Sequence, residues 1–379
     1  MDGSIKYEDM TFEAAQEEMK PCPNCSARTV YNADMKKLFC EYCHGSWELD
    51  ITPHEVAKEN DYYEAANREN EDWTSKKITI ECKSCGAVTE YAANVQATTC
   101  PFCNSVQVTE NELTKKTIAP SHLIPFMFGE ETARGKFSQW LKSKWLAPKA
   151  LKKMAKLDKM KGVYYPYWTY DADTFSKYIA DSGKDYTVTV QKTRIENGKT
   201  VVYNTTETRT KWVRVSGHYD FFADDVLINS THEDVAKICH KVEPFDHSAL
   251  IPYDPQFLAG FAAQRYTVGL VDGFELAKSK IARMIEAGID NEVRRVYHAD
   301  HVRNIHATTE YSNIKFKHIL LPLWISSYMY KGKMYRYIVN GQTGKTSGEA
   351  PLSPFKVALL VLGIVAVIAG VCWWFYSTR

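Results

Sequence analysis

Apolar and polar positions follow three rhythms along this chain. From Val163 to Phe222 the rhythm is that of strands. Val163-Tyr-Tyr-Pro-Tyr-Trp-Thr-Tyr170 reads as an aromatic strand, and Val213 to Phe222 as another. Between them Tyr186–Ile195 and Val201–Thr210 alternate in period two about Glu196-Asn-Gly-Lys-Thr200, which predicts a hairpin with Asn-Gly at its tip. Ile319–Tyr330 and Lys333–Val339 predict a second hairpin through Lys331-Gly-Lys333, followed by an Asn340-Gly341 turn. A helical rhythm governs Glu130–Trp145, where Phe137, Leu141 and Trp145 share a face and Pro148 ends the run. Helices are also expected over Thr231–Lys241 and after Asp272-Gly-Phe-Glu275. In the latter the Asp-x-x-Glu spacing reads as a capping box, and Ala277, Ile281, Met284 and Ile285 form the buried face.

The third rhythm is an uninterrupted apolar run. Val357 to Tyr376 holds 20 residues without a charge. At about 1.5 Å per helical residue it spans a hydrocarbon core of about 30 Å. Lys356 marks one end, and Trp373, Trp374, Phe375 and Tyr376 form an aromatic belt before Arg379 at the other. The pattern predicts a tail anchor.

Two phrases in the middle of the chain are echoed later. His122-Leu-Ile-Pro-Phe returns as Ala249-Leu-Ile-Pro-Tyr, and Val163-Tyr-Tyr-Pro-Tyr-Trp returns as Ile319-Leu-Leu-Pro-Leu-Trp. The expectation is two related β-rich halves that pair into one body over 120–350.

Composition adds the chemistry. Eight of the ten cysteines fall into two sets, Cys22, Cys25, Cys40, Cys43 and Cys82, Cys85, Cys100, Cys103. Each set is two Cys-x-x-Cys knuckles separated by fourteen residues, and the copies lie 60 residues apart. Four thiolates from two short knuckles suit a closed tetrahedral zinc site, so the reading is two zinc ribbons, each with one structural Zn2+. Disulfides are the rival reading, but Met1–Lys20 lacks a secretory apolar run. Zinc-bound thiols call for a reducing interior, which puts the body in the cytoplasm with the anchor leading outward.

The net charge of +1 argues against a dedicated nucleic-acid binder. A second, basic helix expected over Lys149–Lys161 nevertheless carries Lys149, Lys152, Lys153, Lys156 and Lys159, candidates for contact with anionic headgroups or phosphates if they are more than a solvated face. No nucleophile with its base, open metal site or phosphate cradle is evident. Gly341-Gln-Thr-Gly-Lys-Thr346 lacks the first glycine of a P-loop and reads as a hairpin turn, and His298, His301 and His306 lack helical ligand spacing.

The organisation expected is therefore α+β: an acidic helix over 1–20, zinc ribbons over 21–50 and 78–110 joined by a spacer over 51–77, the β-rich body with interspersed helices over 120–350, and a transmembrane helix over 357–376. The paired ribbons resemble a bacterial family of TFIIB-type zinc-ribbon membrane proteins, the YdjG-like proteins. So do Leu123-Ile-Pro-Phe with Phe137-Ser-Gln-Trp-Leu, Gly162-Val-Tyr-Tyr-Pro-Tyr-Trp-Thr-Tyr, Val339-Asn-Gly-Gln-Thr-Gly-Lys and the terminal span. The label of primosomal helicase N′-related protein often attached to that family finds no nucleotide-binding motif here. The resemblance implies a non-enzymatic membrane component acting in envelope stress with a phage-shock-type PspA-like membrane-remodelling protein and a flotillin-like or related membrane partner. The function expected is a cytoplasmic adaptor that recruits proteins to the membrane; the alternative is a membrane-tethered nucleic-acid-binding protein related to replication.

Overall fold

The computed structural model describes residues 21–27, 29–49, 59–67, 77–81, 88–92, 98–99, 106–107, 118–148, 160–196, 199–231, 233–264, 266–330 and 333–377. The first ribbon is a small three-stranded sheet, β1 (Thr29–Asn32), β2 (Lys37–Cys40) and β3 (Ser46–Trp47). A bridge β4 (Asn60–Asp61) and a short helix α1 (Tyr62–Asn67) follow, then the paired strands β5 (Lys77–Glu81) with β6 (Val88–Ala92) and β7 (Thr98–Thr99) with β8 (Val106–Gln107). The body then runs β9 (His122–Leu123), α2 (Glu130–Ser143), β10 (Lys161–Glu196), β11 (Lys199–Asn229), α3 (Glu233–Cys239), β12 (Ile251–Pro252), β13 (Ala262–Ala263), α4 (Leu270–Tyr297), β14 (His301–Tyr330), β15 (Lys333–Asn340) and β16 (Thr346–Gly348). A final helix α5 covers Pro354–Ser377.

One nine-stranded sheet organises the body, its central order being β11-β10-β14-β15-β16. The strands are far longer than expected. The four stretches read separately between Val163 and Phe222 merge into one continuous hairpin, paired from Tyr167 and Asn229 out to Glu196 and Lys199. β14 likewise begins at His301, well before Ile319. A period-two rule misses the junctions because polar residues such as Thr174, Ser176 and Ser182 interrupt the buried apolar series of Ala172, Tyr178 and Ala180, yet the backbone ladder continues through them. The ladder absorbs register shifts between Tyr170 and Ala172 and between Ile179 and Asp181.

The echoed phrases meet each other. Leu123 pairs with Ile251 and His122 with Pro252. Val163–Trp168 and Ile319–Trp324 run antiparallel, with Tyr165 directly opposite Leu321, its own counterpart in the other phrase. A local twofold passes through that pair, and the surrounding hydrogen bonds obey it. Ser230 N donates to Pro166 O as Gly341 N donates to Pro322 O. Thr267 N donates to Ser230 O as Met127 N donates to Gly341 O, and Gln264 N to Tyr164 O as Ile124 N to Leu320 O. Each strand that enters a helix is exchanged: β13 lies parallel to β10, while β9 lies parallel to β14. The two βαβ units therefore interlock rather than sit side by side.

Helix boundaries differ in detail. α2 ends at Ser143, so Phe137 and Leu141 are buried with Ala133, whereas Trp145 lies beyond the end and is exposed. α4 starts at Leu270 behind Gly269, which places Asp272 and Glu275 inside the helix and leaves no capping box. Its buried face is Phe274, Ala277, Ile281, Ile285, Ile289 and Val293, one residue per turn against Tyr170, Tyr178, Ala180 and Val215. Met284 lies off that stripe and is exposed. The helix expected over Thr231–Lys241 is α3 followed by a 3-10 turn, His240–Val242. Gly341–Thr346 is the turn between β15 and β16, where Gly344 takes φ +76°.

α5 leaves the body beside α2: Lys356 Nζ donates to Trp145 O and Ala147 O, both at 2.7 Å. No residue along the helix is buried, and Leu359, Leu362, Ile364 and Trp373 face outward. Such a surface is costly in water and suits hydrocarbon, and the helix is long and apolar enough to cross a membrane. The segments 1–20 and 149–159 lie outside the described residues, and Lys161 opens β10 instead of closing a helix.

Candidate metal centre

Four sulfurs of the first ribbon converge. The chain around each knuckle is folded in the same way. Ser26 N donates to Cys22 O and His44 N to Cys40 O, and the residue after the second cysteine takes a left-handed backbone in both, Ser26 at φ 59° and His44 at φ 58°. This geometry turns successive backbone N–H groups toward the sulfurs. Cys22 Sγ lies 3.5 Å from Cys43 Sγ, and Cys25 Sγ 3.6 Å from Cys40 Sγ. All four ligand atoms lie within 4.8 Å of one another. A tetrahedron with metal–sulfur bonds of about 2.3 Å has edges of about 3.8 Å. The donor set therefore fits one tetrahedral metal ion.

The electrostatics point the same way. Burial of the Cys22 thiol opposes ionisation, but N–H donation from Asn24 and Cys25 outweighs it and brings the group down to about 7. At Cys25 the N–H of Ala27 favours the thiolate. Burial and the neighbouring sulfurs of Cys40, Cys22 and Cys43 oppose it more strongly, and the group rises to about 12. Four sulfurs this close cannot all carry charge unless a cation sits among them.

The ribbon is fastened to the body. Tyr31 N donates to Ala259 O at 3.0 Å, and the Tyr31 hydroxyl donates to Phe126 O at 3.4 Å. The Tyr31 ring packs edge-on against Phe257 with centroids 5.0 Å apart. Asp34 Oδ1 accepts from Gly129 N at 2.8 Å, so the ribbon supplies a carboxylate at the start of α2, where the helix dipole favours it. Gly260, at φ +90°, lets the segment before β13 pass beneath Val30. Tyr31, Ala33, Leu38 and Leu49 accordingly belong to the same apolar core as Phe126, Phe137 and Trp324.

A second constellation escaped the sequence reading. Lys317, almost fully buried on β14, lies 2.8 Å from Asp225 Oδ1, 3.5 Å from Glu59 Oε1 and 3.6 Å from Asp171 Oδ2. Donation from His247 and the Lys317 ammonium hold the Asp225 carboxyl well below the usual carboxylate range. Burial raises that of Asp171. Lys315 also reaches Glu59, at 3.0 Å. The network fastens the chain at Glu59, between the two four-cysteine segments, to the centre of the sheet. A charge inside an otherwise apolar strand, Phe316-Lys-His-Ile319, was its signal.

Cys82, Cys85, Cys100 and Cys103 lie outside the described residues, as do Lys149, Lys152, Lys153, Lys156 and Lys159. Among the described residues Cys22, Cys25, Cys40 and Cys43 form the one group able to hold a metal. His298 ends α4 in a left-handed conformation, His301 pairs with Asp185 at 3.0 Å, and His306 lies opposite Ile179 in the β10–β14 ladder.

The described chain is thus a β-rich α+β body with a four-thiol cluster at its N-terminal side and a C-terminal apolar helix of membrane-spanning length. It is similar to the "Uncharacterized protein YdjG" of Bacillus subtilis (strain 168), with 27% identity over 253 residues that cover 65% of this chain and 68% of that one. No family model and no solved structure matches the chain.

Proposed function

We propose that this chain is a non-enzymatic, membrane-anchored zinc-ribbon adaptor whose body lies in the cytoplasm and which recruits partner proteins to the bilayer. The observation that carries this reading is the closed set of Cys22, Cys25, Cys40 and Cys43 on a body that ends in α5. With four thiolates on the ion no coordination position is left for a substrate, so the metal has a structural task. Thiols held for zinc belong in a reducing compartment, which sets the body on the cytoplasmic side.

The two ribbons divide the work. The first, held by Tyr31 and Asp34, closes the body; the second, with its own zinc on Cys82, Cys85, Cys100 and Cys103, is the recruiting module. By its resemblance to the YdjG-like proteins, the partners are a PspA-like membrane-remodelling protein and a flotillin-like or related membrane protein in an envelope-stress response. The test is a pull-down in mild detergent followed by mass spectrometry, comparing the intact chain with one lacking 78–110. Loss of specific membrane-associated partners on deletion supports the proposal, and an unchanged partner set contradicts it.

A further inference from the structure

The β10–β11 hairpin outruns everything that supports it. β14 accompanies β10 only as far as Gly183, opposite His301, and α4 ends at Tyr297. Beyond Asp185, which still reaches Asp300 and His301, β10 and β11 continue alone from Tyr186 and Arg209 to Glu196 and Lys199, about 35 Å at about 3.3 Å per residue. A bare two-stranded hairpin is marginal in water, so a structure this long calls for a surface to rest on.

Its two faces differ sharply. On the face that continues the α4 side, the charges satisfy one another. Lys192 reaches Glu207 at 2.9 Å, Arg209 reaches Glu207 at 3.7 Å, and the Arg194 guanidinium lies 5.5 Å from the Tyr203 ring centre. The other face carries directly opposed pairs, Thr187 with Thr208, Thr189 with Thr206, and Gln191 with Asn204. All six are exposed, none is charged, and among the described residues none of these side chains hydrogen-bonds another protein group.

We propose that this threonine and amide face is a self-association surface that stacks against the same face of a second copy of the chain. Hydroxyl and amide groups each donate and accept, so two identical faces satisfy one another around a twofold axis. A charged partner finds no complementary charge at these three pairs, and the face continues outward with exposed Val202 and Ile195, which a second copy would cover in the same contact. High β-propensity with no charge, proline or glycine is the character of sheet faces that pack on themselves. The patch is smaller than the roughly 800 Å² per partner of a standard interface. Copies held by α5 in one bilayer share an orientation and a raised local concentration, which lets so small a patch suffice.

The test uses the full chain in proteoliposomes, with the photocrosslinker p-benzoylphenylalanine in place of Thr206 or, on the opposite face, of Arg209. The expected result is an adduct of twice the chain mass from position 206 and little from 209. With the photocrosslinker at Thr208 instead, adding Thr189→Lys and Thr206→Lys should lower the adduct about tenfold or more, since like charges then oppose each other. The thermal unfolding of the body should be unchanged, because these positions lie beyond the last contacts of the hairpin with β14 and α4. No doubled-mass adduct, equal yields from the two faces, an adduct with another protein, or dimers that survive the lysine pair would each overturn the proposal.

Discussion

Trp168 and Trp324 perform the same task in the two interlocked units. Trp168 Nε1 donates to Val268 O at 2.9 Å, and Trp324 Nε1 donates to Phe128 O at 3.3 Å. Each acceptor immediately precedes the glycine that caps a helix, Gly269 of α4 and Gly129 of α2. Each indole thus ties a central strand to the start of the helix of the other unit, since Trp168 leads out of α2 and Trp324 out of α4. Trp168→Phe and Trp324→Phe should each cost about 1–3 kcal/mol, because each leaves a carbonyl unpaired. Denaturant unfolding followed by circular dichroism checks this. The interlock further predicts that both variants lower one cooperative transition of the body; two separate transitions would show that the units fold independently.

Lys317 neutralises a buried acidic cluster. Lys317→Met keeps much of the side-chain volume but leaves Asp171 and Asp225 facing each other without their cation. The expected loss is about 3–5 kcal/mol, measured as a shift in the denaturant midpoint. Glu59→Gln removes only the outer partner and should cost much less.

The same cluster sets an acid limit. The Asp225 carboxyl is held below its usual range in the folded chain, so its contribution is fully present above the unfolded value of about 3.9 and is lost as pH falls through the folded one. Asp225→Asn should flatten the pH dependence of the melting temperature below about pH 4. A variant that keeps the slope of the parent would assign the acid sensitivity elsewhere.

Metal removal should be felt in the body. Tyr31 and Asp34 reach Ala259, Phe126 and Gly129 from the ribbon that the four thiols close. Chelation should therefore raise amide hydrogen exchange at Tyr31, whose N–H is held by Ala259, and at Gly129, while the β10–β14 ladder keeps its protection. Loss of protection throughout the sheet would make the ion a support of the whole fold.

The sequence was most informative where a local rule suffices. Cysteine spacing drew the four sulfurs together, the Asn-Gly tip marked the long hairpin, and the charge-free run marked α5. The echoed Pro-x-Trp phrases announced segments that turn out to pair. Local rules failed where a partner distant in sequence decides the outcome. Met284 sits at helical spacing yet faces solvent, because the sheet covers only the stripe of α4 that runs through Ala277, Ile281 and Ile285. Asp272 and Glu275 have capping spacing, yet Gly269 begins the helix where Trp168 holds Val268. The roles of Tyr31, Asp34 and Lys317 depend on contacts about 90 residues or more away. No window along the chain contains both partners.

The most direct measurement of the central claim is elemental analysis of the full chain purified in mild detergent under reducing conditions, beside Cys22→Ser and Cys82→Ser. The account predicts two zinc ions per chain, one in either variant, and no disulfide among the eight cysteines. A metal-free chain with those sulfurs oxidised in pairs would contradict it.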